Sequence, residues 1–126
     1  MQNENPEEGG VKLLDEPLAD APAHPSIDIF RDAITRRTCV GTVYNKAEVK
    51  LAPHILYSRH GDLFIDAVVV ERDGKKPREI KLGTYKVTGL SETEATKRLF
   101  APLPSFDAED PKYAGYALCV AQKKAV

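Results

Sequence analysis

The 126-residue sequence has only two cysteines, no tryptophan, no run of about 18 apolar residues and no surplus of either charge. Each absence excludes something. Cys39 and Cys119 cannot make a disulfide framework for a chain of this length, and such bonds are rare in a reducing cytosol. No segment is long and apolar enough to be a candidate bilayer span, and the N-terminus shows no charged region followed by an apolar signal core. The expectation is therefore a cytoplasmic protein with no membrane contact. Eighteen basic against nineteen acidic side chains point to no partner by themselves. Also missing are a Gly-rich phosphate loop, a His-Glu-x-x-His helix, a paired-cysteine zinc pattern and a Gly-x-Ser-x-Gly elbow. Without a nucleophile and its base, no catalytic residues and no cofactor are expected, and the chain does not read as an enzyme.

What is present is unevenly distributed. Residues 1–25 carry Glu4, Glu7, Glu8, Asp15, Glu16 and Asp20 against Lys12 alone, a net of −5, so the total of −1 leaves the other 101 residues at +4. This acidic stretch has too little apolar surface to offset the entropy of ordering it. It reads as a disordered tail ahead of a single domain over residues 26–126. Its role is open between a solubilising tail and an arm that competes for the basic body.

The domain begins with helical spacing. Ser26 stands as N-cap, Ile27, Phe30, Ala33 and Ile34 recur on one face, and Asp28 and Arg36 suit the two ends of the dipole. This predicts a short amphipathic helix over 27–37, packed on the rest because it is too short to stand alone. Arg31, Arg36 and Arg37 on it form either a phosphate patch or a solvated face. The β-branched and aromatic run 38–44 predicts a first strand, in which Cys39 serves as a small buried apolar side chain.

Residues 48–90 hold most of the patterning. Glu48 to Tyr57 alternates, with a predicted break at Pro53, which has no N–H to give a ladder. Leu63 to Glu71 is apolar on both faces and predicts a doubly covered strand, with Asp66 as its one internal charge. Asp73-Gly74 predicts a hairpin turn, 78–82 a strand, Gly83-Thr84 a bend and 85–90 a last strand. Such strands argue for a mainly β fold with helix (α+β), an antiparallel meander curling into a small β-barrel.

Beyond Leu90, Ser91 and Glu94 have capping-box spacing and predict one or two helical turns over 95–100, ended by Pro102 and Pro104. The acidic loop 105–113 lacks the glycine turn and terminal glutamate of a calcium site, so no metal is expected. Residues 115–122 are open between a strand and a helix starting at Pro111, with Gly115 leaning towards a strand. His54 and His60 read as exposed or locally hydrogen-bonded rather than as metal ligands. The remaining constellation is basic and aromatic: Tyr57, Arg59 and His60 at one strand end, Lys75, Lys76 and Arg78 around the hairpin, then Lys81 and Tyr85. On a curled sheet these converge on a groove for an anion, a nucleotide or single-stranded nucleic acid. The bland alternative is ordinary hairpin surface.

The order of a helix, Arg36-Arg37, a strand ending in Tyr44, Leu51-Ala52-Pro53 with Ile55-Leu56, then Gly61-Asp62-Leu63-Phe64-Ile65, then Arg78-Glu79-Ile80-Lys81-Leu82 resembles the WYL domain family of bacterial regulators. The similarity covers about residues 27–95. It implies an Sm-like small β-barrel with an N-terminal packed helix, acting as a sensor of nucleotide or nucleic-acid ligands in transcription regulation or phage defence. The Trp-Tyr-Leu signature falls on Leu63-Phe64-Ile65, which keeps apolar character without the tryptophan or the tyrosine hydroxyl. The later Phe-Arg-Leu-Asp-Arg-Ile segment falls on Ile80 to Tyr85, where Lys81 preserves a basic group while Gly83 and Thr84 replace the acid and the second arginine. A lysine does not reproduce the planar, multi-donor contact of an arginine. The 25 residues ahead of the domain are too few for the DNA-binding domain usual in the family, so the expectation is a stand-alone regulatory domain. Its ligand contacts would be Tyr57, Arg59, Arg78, Lys81 and Tyr85. The rival expectation is a protein-interaction module whose exposed sheet edge near Pro53 pairs with another chain, including a second copy.

Overall fold

The computed structural model describes residues 24–122. The acidic tail lies outside them except for its last residues. Helix α1 spans Ile27–Arg36 and buries Phe30, Ala33 and Ile34. Arg37 closes it in the left-handed region (φ 58°), with its N–H directed to the Ala33 and Ile34 carbonyls. The Ser26 side chain makes no capping bond to the helix; its hydroxyl and the His24 Nδ1 lie 2.7 Å apart instead.

Six strands follow: β1 (Thr38–Tyr44), β2 (Ala47–Arg59), β3 (Asp62–Arg72), β4 (Leu82–Lys86), β5 (Ser91–Leu99) and β6 (Ala117–Val120). Among the described residues the protein is thus mainly antiparallel sheet with one helix. Five strands run in the order β4-β3-β2-β1-β5, and β6 pairs with β2. Three two-residue turns make this cheap. Asn45-Lys46, His60-Gly61 and Asp73-Gly74 all take positive φ, the geometry whose twist matches that of the flanking strands.

The sheet is not closed into a barrel, yet it curls hard. Tyr44 on β1 and Tyr85 on β4 touch edge to face at 5.1 Å. In a flat sheet three strand spacings, roughly 14 Å at about 4.8 Å each, would separate their backbones. The concave side holds the main core. Phe30, Ala33 and Ile34 of α1 meet Val40, Val49, Leu51, Leu56, Leu63, Ile65, Val87 and Leu90 there. Burying each of the larger side chains stabilises the fold by roughly 1.5–3 kcal/mol.

Six expectations need correcting. Pro53 does not break β2; the strand runs through it with a bulge, Pro53 pairing with Ala67 and Ile55 with Asp66. Pro53 is therefore no sheet edge, since β2 is the middle strand and the ends of the order are β4 and β5. Residues 91–99 form β5 rather than leading into a helix, because Gly41 and Val40 of β1 pair with Glu94 and Ala95. Arg78 to Lys81 are loop, Gly83-Thr84 sits inside β4, and 87–89 is a short 3-10 turn.

The bulge has a purpose visible in the pairing. β1 accompanies β2 as far as Leu51, and β6 takes over from Ile55. The extra residue puts His54 and Ile55 on the convex side together with Tyr57, facing the segment 100–113 that crosses there.

Candidate functional site

The convex face has a covered half and a bare half. Over the covered half, Phe106 and Tyr113 pack on Ile55, Tyr57 and Phe64, while Phe100 and Leu103 reach Ala52 and Val68. Two polar groups fasten this strap. Buried His54 donates from Nδ1 to the Ala52 carbonyl at 2.8 Å and accepts the Leu103 N–H at Nε2, 3.0 Å. His54 is thus locally bonded, as the sequence suggested, but buried rather than exposed. The second group is Asp66, which is 0% exposed.

Asp66 divides its oxygens between the sheet and the strap. Oδ1 accepts the Tyr57 hydroxyl at 2.8 Å and the Thr84 hydroxyl at 2.7 Å, tying β2, β3 and β4 together. Oδ2 accepts the Tyr113 hydroxyl and the Lys112 ammonium, the latter at 2.9 Å. Burial pushes the Asp66 carboxyl up, but the four donors outweigh it and hold the group below its ordinary value. Burial and the bond to Asp66 push the Tyr57 phenol up to about 12, and the same causes raise Tyr113. The two carboxylate oxygens thus accept four donors, which fastens the strap to the sheet. The lone charge in an apolar strand was a sequence signal for it. Lys112 and Tyr113 gave no such signal.

The bare half is a groove of about 400 Å³ at the other end of the face, lined in part by Gly41, Glu48, Lys50, Glu71, Glu92 and Glu94. Glu71 is engaged by Lys50 at 3.0 Å and more distantly by Arg98, and Lys50 holds its carboxyl below the usual range. At the rim, Gly74 ends the Asp73-Gly74 turn, and the exposed segment 75–81 departs with Lys75, Lys76, Arg78 and Lys81. Among the described residues none of these four cations is in an ion pair.

The five expected ligand contacts do not meet. Tyr57 is 2% exposed, bonded to Asp66 and stacked on Phe64, so its ring is not available to a ligand. Tyr85 packs on the concave side against Tyr44 and the main core, on the opposite face from Tyr57. Arg59 pairs with Asp62 at one end of β3, whereas the loop carrying Arg78 and Lys81 enters at Leu82, opposite Val68. Six residue steps of strand separate the two points, roughly 20 Å at about 3.4 Å each. Only Arg78 and Lys81 remain neighbours. The helix arginines are also dispersed in role, Arg36 pairing with Asp32 at 2.8 Å and Arg37 reaching the Gln122 carbonyl.

Cys39 is buried, and burial pushes its thiol up against the opposing influence of Arg98 and Lys50. Among the described residues no group of three or more His, Cys, Asp or Glu side chains could hold a metal ion, and no helix is long and apolar enough to cross a membrane. No protein-family model, no curated protein and no solved structure matches this chain.

Proposed function

We propose that the chain is a non-catalytic, WYL-like regulatory domain of Sm-like architecture that binds an anionic ligand, a nucleotide or single-stranded nucleic acid, and acts in transcription regulation. The observation that carries the reading is the 75–81 segment. Four exposed cations within seven residues, accompanied only by Glu79 and engaged in no ion pair among the described residues, are available to phosphate oxygens. The helix leading into a curled antiparallel sheet, with β5 returning beside β1, supports the small-barrel part of the reading. Arg78 and Lys81 are the primary contacts. Arg59 lies too far along the sheet to join them without the ligand spanning it, Tyr85 packs on the concave core, and Tyr57 has no part in it.

Amide NMR titration with single-stranded oligonucleotides and nucleotides, at low and physiological salt, tests this. The expected result is a set of shifts clustered on residues 75–82 that persists at physiological salt and is lost in Arg78→Glu/Lys81→Glu, whose circular dichroism stays unchanged. Shifts that vanish with salt, or that survive the double reversal, remove the ligand from this segment.

A further inference from the structure

The bare half of the convex face is acidic, and the loop beside it is basic. Glu48, Glu92 and Glu94 line the groove with no ion pair among the described residues, Glu94 lies across Gly41, and the one lysine of the lining, Lys50, is engaged by Glu71. The turn that bounds the groove at Gly74 leads straight into the cations at 75, 76, 78 and 81. The turn is itself fixed to β2: the Asp73 N–H donates to the Glu48 carbonyl at 2.7 Å, and Asp73 Oδ1 accepts the Glu48 N–H at 3.0 Å. Three carboxylates and four ammonium or guanidinium groups, none in an ion pair with another of the described residues, are thereby placed side by side.

We infer that this end of the molecule docks on a second copy of the same chain, the 75–81 segment of each copy lying in the acidic groove of the other about a two-fold axis. The charge pattern selects this occupant. A basic peptide or a polyamine would neutralise the groove and leave the loop unmatched; an anion would do the reverse. A two-fold partner satisfies both at once, because a patch of each sign on one surface is self-complementary under that symmetry. Strand addition at the sheet edge is the poorer route: β5 is doubly bulged against β1 and carries Lys97 and Arg98, features that blunt an edge. Exposed ion pairs are individually weak and are screened over about 8 Å at physiological salt, so the association is reversible and salt-sensitive. The inference does not rest on the proposed ligand. Where both hold, they compete for the same cations, so an anionic ligand dissociates the dimer by the factor with which dimerisation weakens the ligand.

Sedimentation equilibrium of the full chain at low and high salt tests it, with two charge-reversed variants at exposed positions and circular dichroism to verify folding. The expected result is a dimer at low salt that weakens ~10-fold or more at high salt, in Glu92→Lys/Glu94→Lys, and in Lys75→Glu/Lys76→Glu. Mixing the two variants restores a heterodimer, since each loop then meets a groove of opposite sign. A monomer at every concentration at low salt overturns the inference, as does a dimer indifferent to both reversals or a mixture that fails to associate. Oligonucleotide titration of Glu92→Lys/Glu94→Lys keeps the two readings separate, because that variant retains the whole basic segment.

Discussion

The two halves of the convex face carry acidic groups in opposite circumstances. Asp66, under the strap, is fully buried and receives four donors; Glu48, Glu92 and Glu94, in the open groove, stand in solvent without partners among the described residues. A buried carboxylate left unpaired would cost several kcal/mol, so its surroundings are built to the last lone pair. An exposed carboxylate costs almost nothing to leave unmatched. Full satisfaction therefore marks the buried half, whereas the open half carries unmatched charge at little cost.

The sharpest break of this contrast is Asp66→Ala. It strands three hydroxyls and an ammonium and opens a cavity, so unfolding in urea should show a loss of roughly 3–5 kcal/mol. Lys112→Met comes next. Its ammonium is partly in solvent and three hydroxyls still serve Asp66, so roughly 1–2 kcal/mol is expected, with faster hydrogen exchange at the Leu103 and Tyr113 amides than in β3.

Acid should distinguish the halves without mutation. The Asp66 carboxyl is lower in the folded state than its ordinary value of 3.8, so it stabilises the fold fully above that value. The contribution disappears as pH falls through the lowered folded value. Thermal unfolding followed by circular dichroism should therefore show a steeper acid loss in the parent than in Asp66→Asn. At the alkaline end the raised Tyr57 phenol works in reverse: its contribution is complete below about 10 and fades as pH rises towards about 12. The smallest effect belongs to the open half, where Glu92→Lys/Glu94→Lys should leave folding stability within about 0.5 kcal/mol. A large loss there would erase the distinction between the halves.

Local chemistry made part of this legible in the sequence. The run 38–44 is a strand over those same residues, α1 ends one residue short of expectation, and the two-residue turns coincide with Gly61 and Gly74. The double covering of β3 follows from its two apolar faces. Readings failed where a distant partner outbid a local signal. Ser91 to Glu94 has the letters of a helix cap, but its neighbour is β1, and the Thr42 hydroxyl donates to the Ser91 carbonyl at 2.8 Å. Gly83-Thr84 looks like a bend; in β4 the absent side chain lets the Tyr85 ring lie over Gly83, while Thr84 serves Asp66. Of the candidate site, Arg78 and Lys81 were readable as neighbours, but Tyr57 could not be told from an exposed aromatic. Its burial depends on Phe106 and Tyr113, about 50 residues away, whose return across the sheet no local pattern announces.

The handover along β2, from β1 before the bulge to β6 after it, also orders events in time. The contacts of α1, β1, β2 and β3 close short loops through two-residue turns, whereas β6 must come back across roughly sixty residues to reach Ile55 and Leu56. Loop closure of that length is slow to nucleate and is rewarded only when the sheet already exists. The half of β2 beyond His54 thus acquires its second neighbour late, and until Phe106 and Tyr113 of the strap return, Ile55, Tyr57 and Phe64 stand as an uncovered apolar surface on the sheet. That transient surface exposes a newly made chain to sticking to its neighbours until the strap closes over it.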